Sequence, residues 1–448
     1  MNIELYKKLI KELILNREVN IYDDDVGGSY KGQINYICQK YQLTTVEEKS
    51  KVSIYKYNDL IGIFNGMKPH TTTSTAFAIC QNKYLTNKWL EKNGVSVVKS
   101  NVFKADELEE ARKYIGERLK TSFVVKPYNL SGGRGITANI QLDFLEEAWD
   151  FSLQEQKKKK VKVLKNIVEE FKPGVDIRIV VVDGKFNCAA LRIPAHVIGD
   201  GKLTIMELIE EKNKVRIKNP YLQNKLIELN EHGIKLLRNQ NINPSDILEE
   251  GKVVILHEKA NVLMGGDNID ITDRIPKSLK KIVEKTVRVM PGLSTAGIDV
   301  IVDSINNFEN PVVIEVNTNA NLMLNQFPLI GTQRTPLEDV IISMLKDYNI
   351  FGCLHKSGLL DAINFPSNRK NQEINNLKKI NKKISSEKKA LLDKMYNLET
   401  EFAQTKEINN QLENKLQDLN KRTREYEEKY RQLSSTFPFN IINKFKRK

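Results

Sequence analysis

The segment Phe123-Val124-Val125-Lys126-Pro127-Tyr128-Asn129-Leu130-Ser131-Gly132-Gly133-Arg134-Gly135 sets a lysine at the end of an apolar strand and follows it with a cationic, glycine-rich loop. Glycines let backbone N–H groups approach phosphate oxygens with no Cβ in the way, and a lysine adds a point charge. The combination suits the charged tail of a nucleotide. Glycine-rich loops also serve only to turn the chain, so this segment needs a second feature to carry the chemistry.

That feature lies near residue 300. Gly297-Ile298-Asp299-Val300-Ile301-Val302 and Pro311-Val312-Val313-Ile314-Glu315-Val316-Asn317 are rich in β-branched residues and read as two strands joined by a polar link. A hairpin centred near Phe308 sets Asp299 opposite Asn317, with Glu315 on the same face as Asn317. Three oxygen donors then converge, a set that suits Mg²⁺ held together with substrate phosphates. The alternative is an ordinary hairpin with solvated acids; the lysine and the glycine loop favour the metal.

With these residues in view, the segment from about Ala76 to Ile350 resembles an ATP-grasp carboxylate-amine ligase. It is most similar to the ATP-grasp region of cyanophycin synthetases and bifunctional glutathione synthetases. The blocks that carry the resemblance occur in order: Gln81-Asn82-Lys83-Tyr84-Leu85-Thr86, Val168-Glu169-Glu170-Phe171 with Gly174, Asp176 and Arg178, the stretch from Arg192 to Ile205, Ala260-Asn261-Val262, and Gly265-Gly266 with Ile269 to Asp273. The resemblance implies that Lys83 and Lys126 hold ATP phosphates and that Ser131, Gly132, Gly133, Arg134 and Gly135 close over them. It implies that Glu169 accepts from the adenine amino group, with the backbone of Glu170 and Phe171 completing the hinge, and that Asp176 binds the ribose. Asp299, Glu315 and Asn317 are implied as ligands of Mg²⁺, expected as two ions because charge must be neutralised on both sides of a transferring phosphoryl group.

The implied reaction forms an acyl phosphate, which an amine then attacks, and a positioned cation is needed for the tetrahedral oxyanion. D-alanine ligases place an arginine two residues before the metal-binding aspartate, where this chain has Gly297. Arg192 is the first candidate to replace it, with Arg178 and Arg274 as the others; for each the alternative is a surface ion pair. Asn82 stands where the family often has aspartate, and Asn319-Ala320-Asn321 replaces a proline-glycine pair near the expected amine site. Thr71 to Thr75 either lines that site or caps the following helix.

At 448 residues and 40% hydrophobic content the chain is long and apolar enough for two or three domains with real cores. The expected class is α/β (α+β): an α/β cap over 1–78, an ATP-grasp core over 79–350, a linker over 351–372, a coiled-coil helix over 373–433 and a basic amphipathic tail over 434–448. Asp23-Asp24-Asp25 before Gly27-Gly28 reads as an acidic turn and not a metal site. His196 reads as structural, and the other histidines lack metal-ligand spacing. Cysteines 38, 80, 188 and 353 form no C-x-x-C, which fits free thiols in a reducing compartment. The charged N-terminus reads as an amphipathic helix, and no apolar run is long enough to span a membrane. A cytoplasmic protein is expected.

From Ile374 to Leu433 two rows repeat every seven residues. One runs Leu377, Ile384, Leu391, Leu398, Thr405, Leu412, Leu419, Tyr426, Leu433; its partner runs Ile374, Asn381, Lys388, Met395, Phe402, Asn409, Leu416, Thr423, Tyr430. This is a coiled-coil pattern and predicts a homo-oligomer, most simply a parallel dimer; a single helix folded on the core is the alternative. Residues 371–448 carry 18 Lys or Arg against 11 Asp or Glu, a surplus of 7 in the chain's +13. The tail suits peripheral contact with an anionic membrane, or serves as a solubilising end. Nucleic acid is not expected, because no recognition module is present. The sequence thus predicts an ATP-dependent ligase joining a carboxylate of an amino acid, peptide or cell-envelope sugar to an amine, with an ATP-binding scaffold acting through its coiled coil as the alternative.

Overall fold

The computed structural model describes residues 3–22, 28–118, 122–130, 133–355 and 368–436. The acidic turn at 23–25, Ser131 and Gly132 of the loop, the linker glycine and proline at 358 and 366, and the tail from 437 onward lie outside the described residues. The chain divides into two units, Met1–His355 and Lys356–Lys448.

The first unit opens with α1 (Ile3–Leu13) and α2 (Tyr30–Lys40), then a meander of β1 (Thr44–Glu48), β2 (Lys51–Lys56), β3 (Asp59–Asn65) and β4 (Lys68–Pro69). Next come α3 (Ser74–Gln81) and α4 (Lys83–Lys92). Both are started by side-chain caps: the Thr73 hydroxyl accepts from Ala76 N–H at 3.2 Å, and Asn82 Oδ1 accepts from Leu85 N–H at 3.0 Å. Asn82 therefore satisfies the same orphan donor an aspartate would, and Lys83 becomes the first residue of its helix.

A four-stranded antiparallel sheet follows, built from β5 (Ser100–Lys104), β6 (Phe123–Pro127), β7 (Thr137–Ile140) and β8 (Lys165–Glu170) in the order β5-β8-β6-β7, with α5 (Leu108–Arg118) and α6 (Leu145–Lys158) covering one face. A five-stranded antiparallel sheet is made by β9 (Val175–Val182), β10 (Lys185–Ile193), β13 (Asp267–Asp270), β14 (Ala296–Val302) and β15 (Val312–Asn317), in the order β13-β10-β9-β14-β15. Between β10 and β13 an insertion contributes β11 (His196–Ile198), α7 (Ile205–Ile217), α8 (Glu231–Arg238) and β12 (Val253–Ile255), with its own small core around Ile205, Leu237 and Val254. α9 (Lys277–Arg288) precedes β14, and α10 (Met323–Gln326) and α11 (Pro336–His355) close the unit.

Central strand β9 explains how the layers join. Its residues Val175, Ile177, Ile179 and Val181 enter the main core with α9, while Val180 and Val182 on the other face pack against Ile54 and Phe64 of the N-terminal sheet and Leu337 and Ile341 of α11. Only Asp176 and Arg178 interrupt this apolar strand, and alternation puts them on the face shared with Val180. The N-terminal region is not packed as one block: α1 leaves its neighbours and buries Tyr6, Leu9 and Ile10 in the main core.

Under the insertion sits a buried charge cluster. Asp267 is paired with Arg216 and Lys212, each at 2.6 Å. His196 Nδ1–H donates to the Pro194 carbonyl at 2.8 Å, leaving Nε2 to accept from the Lys212 ammonium at 3.2 Å. Burial, reinforced by the positive charge of Lys212, pushes the His196 imidazole down to about 3 from 6.5. The second unit is described as a single helix, α12 (Asn368–Thr436). Among the described residues no helix is long and apolar enough to cross a membrane.

A pH prediction follows from the cluster. The unfolded chain protonates His196 below its ordinary value, whereas the folded chain, with Lys212, Arg216 and Asp267 around the ring, does not until about pH 3. Stability is therefore full above pH 6.5 and falls as pH drops toward 3, by at most about 1.4 kcal/mol per pH unit from this residue. Urea midpoints measured across that range should flatten in His196→Asn relative to the parent; parallel curves would show that the ring does not set this slope.

Candidate active site

Lys83 at the start of α4, Arg178 on β9, Arg192 on β10, Asp299 on β14, and Glu315 and Asn317 on β15 line one cleft of about 410 Å³, together with Gly133 of the loop after β6. A second cavity of about 410 Å³, bordered by Tyr6, Phe171 and Gly174, shares Asp176, Ala260 and Ile301 with the first. The two make one elongated depression. Its inner end is strongly charged and its outer end carries an aromatic ring and a turn, a division that fits a triphosphate and a base.

Strand register decides this convergence. The β14–β15 hairpin pairs Gly297 with Asn317 and Asp299 with Glu315, so it is centred at residue 307. The sequence-based expectation of Asp299 opposite Asn317 is thereby corrected by one residue at the turn, which shifts each partner by two. A two-residue shift preserves side-chain parity, so all three oxygen donors remain on one face. A bulge between Asp299 and Val300 marks where the ladder adjusts.

The donor set is embedded in ion pairs. Arg178 clasps Asp299 through Nε and, at 3.1 Å, through Nη2. Arg192 Nη2 bonds both Asp176 oxygens at 2.5 Å and lies 3.3 Å from Asp299 Oδ1. Burial pushes the Asp299 carboxyl up, but the Arg178 and Arg192 guanidiniums outweigh it and hold it below the usual carboxylate range. For Asp176 burial wins, Arg192 offsets it only in part, and the carboxyl is raised. Lys83 Nζ lies 3.7 Å from Glu315, and Asn317 Nδ2 lies 3.5 Å from Asp299.

Gly297 leaves its space to a side chain from another strand. A Cβ at this position would lie 3.0 Å from Arg178 Nη1 and 3.1 Å from Ala320 Cβ. The space is used by Arg178, which arrives from the neighbouring strand β9. Arg274 is not part of the site: it contacts Glu12 and Asn306, each at 3.4 Å, on a more exposed surface.

Other expected residues are placed differently. Lys126 and Glu169 form a buried ion pair with each other and do not line either cavity. Glu170 N–H donates to Lys99 O at 2.8 Å and Phe171 N–H to Ser122 O at 3.0 Å, so this segment is tied to the residues just before β5 and β6. Phe171 lines the outer cavity. Arg134 is exposed, and Gly133 and Gly135 take φ of +74° and +66°. At Gly135 a Cβ would stand 2.7 Å from Pro127, so glycine is required by both space and conformation.

Two contributors had not been expected. Lys259 Nζ donates to Gly133 O at 3.0 Å, tying the glycine loop to the segment before β13, and burial lowers its pKa. Its signal was present, since it immediately precedes the recognised Ala260-Asn261-Val262. Tyr6 reaches the outer cavity from α1 and accepts from Asp176 N–H at 3.4 Å; nothing local in the sequence marks it.

The residues present fit Mg²⁺ by donor chemistry: Asp299, Glu315 and the Asn317 amide offer hard oxygens on one face. Among the described residues no group of three His, Cys, Asp or Glu could hold a metal alone.

No protein-family model matches the sequence. Among curated proteins the chain is 30% identical over 268 residues to the bifunctional glutathione biosynthesis protein GshAB of Clostridium perfringens, covering 59% of this chain and 34% of that protein. It is 34% identical over 265 residues to cyanophycin synthetase of Synechocystis, covering 57% and 29%. The chain thus matches about a third of the length of these relatives. A bifunctional glutathione synthetase from Pasteurella multocida superposes with a TM-score of 0.53 at 24% identity over 69% of this chain and 42% of that structure, which supports the shared fold.

The ion pairs change what a standard test of the site would report. Asp299→Ala leaves Arg178 and Arg192 without their shared partner, so it should destabilise the fold by about 3 kcal/mol as well as disturb the site. Glu315 is one-third exposed, with a single 3.7 Å ion contact, so Glu315→Gln should leave stability within about 0.5 kcal/mol. Urea unfolding of both variants checks the contrast; equal midpoints would mean that the guanidiniums are not dependent on Asp299.

Proposed function

We infer, for a chain whose core is homologous to the ATP-grasp ligases, that it joins a carboxylate to an amine at the cost of ATP and releases ADP and phosphate. The observation that carries this reading is the meeting of Lys83, Arg178, Arg192, Asp299, Glu315 and Asn317 in one cleft beneath the glycine loop. Bound there, Mg²⁺ would neutralise phosphate charge and polarise the γ-phosphoryl group. Asp299, Glu315 and Asn317 would hold it, and Lys83 would add positive charge beside the same phosphates. Gly133 and Gly135 would let the loop backbone approach the nucleotide, with Lys259 latching it from the other side. Phe171 and the turn at Gly174 would border the base, and Asp176, held by Arg192, the ribose.

The substrate carboxylate attacks the γ-phosphorus, breaking the bond to the β-phosphate oxygen and giving an acyl phosphate and ADP. The amine then attacks the acyl carbon, and phosphate leaves with formation of the amide. The developing oxyanion needs a fixed cation nearby. Arg192 and Arg178, which line the cleft, would supply it, and a closed loop would keep water from the acyl phosphate. The carboxylate is proposed to belong to an amino acid, a peptide or a cell-envelope sugar. Self-association through α12 and contact of the basic tail with an anionic membrane complete the proposal.

One observation favours a second reading, an ATP-responsive scaffold without turnover: Asp299 is fully engaged by two guanidiniums, a stable arrangement with no ligand needed. The experiment that separates the readings measures ADP and phosphate release with Mg-ATP across amino acids, short peptides and uronic acids. Release that needs a carboxylate and an amine together, and falls roughly a hundredfold in Glu315→Gln, is the expected result. AMP and pyrophosphate as products would overturn the ligase chemistry. Tight Mg-ATP binding without turnover on any substrate would favour the scaffold.

A further inference from the structure

On α12 every residue of the two heptad rows from Phe402 to Leu433 is exposed, including Phe402 at 72%, Leu416 at 63% and Tyr430 at 75%. A long helix with an open apolar seam is not stable by propensity alone and calls for a partner surface. The charges beside the seam identify that surface. We propose that α12 pairs with α12 of a second copy of this chain, parallel and with no stagger, as a two-stranded coiled coil. This names the partner for the self-association proposed above and does not depend on the ligase chemistry.

In a parallel pair each residue just before the Ile374 row lies next to the residue five positions later in the other chain. Without stagger these neighbours include Glu373 with Lys378, Lys394 with Glu399, Glu401 with Lys406, and Arg422 with Glu427. All four charged pairs are attractive and none is repulsive, and symmetry doubles each. Sliding one chain by a single heptad removes them all. It sets Glu387 against Glu399, Lys394 against Lys406, and Glu401 against both Glu399 and Glu413, with attraction remaining only at Lys415 and Lys429. The charges therefore select one register.

Polar residues inside the seam select direction. In a parallel, unstaggered pair Asn381 meets Asn381 and Asn409 meets Asn409, so each side-chain amide finds an amide. In an antiparallel pair this row faces the Leu377 row instead, where all nine residues except Thr405 are aliphatic or tyrosine. The asparagines would then lose hydrogen bonds in an apolar seam. Leucine at six of the nine positions of that row agrees with two strands, and Lys388, a further polar residue of the Ile374 row, meets its own copy, where a long stem lets each ammonium reach water. Arg422 already contacts Asp418 of its own helix at 3.1 Å, an exposed pair that can be shared with Glu427 of the second copy.

The full-length protein tests this without nucleotide. Sedimentation should give twice the chain mass. Under air Asn409→Cys in a Cys353→Ser background should form an interchain disulfide that Cys353→Ser alone, whose remaining Cys38, Cys80 and Cys188 are buried, does not form. A one-heptad stagger would separate the two thiols by about 10 Å along the axis, beyond disulfide reach. Glu401→Lys and Lys406→Glu should each weaken the dimer about tenfold, and the double variant should restore it. A monomer, a higher oligomer, a dimer with no Asn409→Cys cross-link, or a double variant no tighter than the singles would each overturn the proposal. Loss of ATP turnover in an intact dimer would count against the ligase reading alone.

Discussion

Arg178, Arg192, Asp176 and Asp299 form a charge network on the inner face of the five-stranded sheet, and the arrangement of the core depends on its being satisfied. Burying any one of these groups alone would cost several kcal/mol; together each carboxylate has a guanidinium against it. This requires β9, β10 and β14 to be immediate neighbours in register, because the partners come from three strands. Glycine at 297 leaves room for it, since a Cβ there would stand 3.0 Å from Arg178 Nη1. The apolar remainder of β9 locks these strands between two cores, so the network is held from both sides.

The cluster of His196, Lys212, Arg216 and Asp267 provides a contrast. Its charges are internal to the fold: Arg216 and Asp267 are fully buried, and Arg216 spends its remaining donors on the Gly266 and Lys225 carbonyls. It fastens the insertion carrying β11, α7, α8 and β12 to edge strand β13. The cleft network instead borders an open cavity of about 410 Å³. Two groups of similar composition thus differ in role because one is sealed and the other borders open space.

Much of the chemistry was legible in the sequence. Asp299, Glu315 and Asn317 were recognisable because strand alternation is local and survives a small error at a turn: the hairpin shifted by one residue and the three donors still shared a face, while Lys83 was named through the resemblance of its motif. Arg192 was placed first and Arg178 among the others, but their carboxylate partners could not be read, because these come from other strands. Lys126 and Glu169 were visible as motif residues, while their mutual ion pair was not, since it joins β6 to β8 across 43 positions. Tyr6 left no local signal. It belongs to the site only because α1 packs on the main core.

The sequence by itself determined the strand and helix periods, the order of the motifs, the glycine loop, the heptad rows and the sign of the charge at the C-terminal end. Each of these rests on contacts or geometry within a few residues. Only the tertiary structure decided which charges neutralise which, that Arg178 fills the space above Gly297, that Arg274 stands apart from the cleft, and that Lys259 reaches the loop at Gly133. Those outcomes depend on strand order and on the volume left by distant side chains, and neither is encoded in any single stretch of the chain.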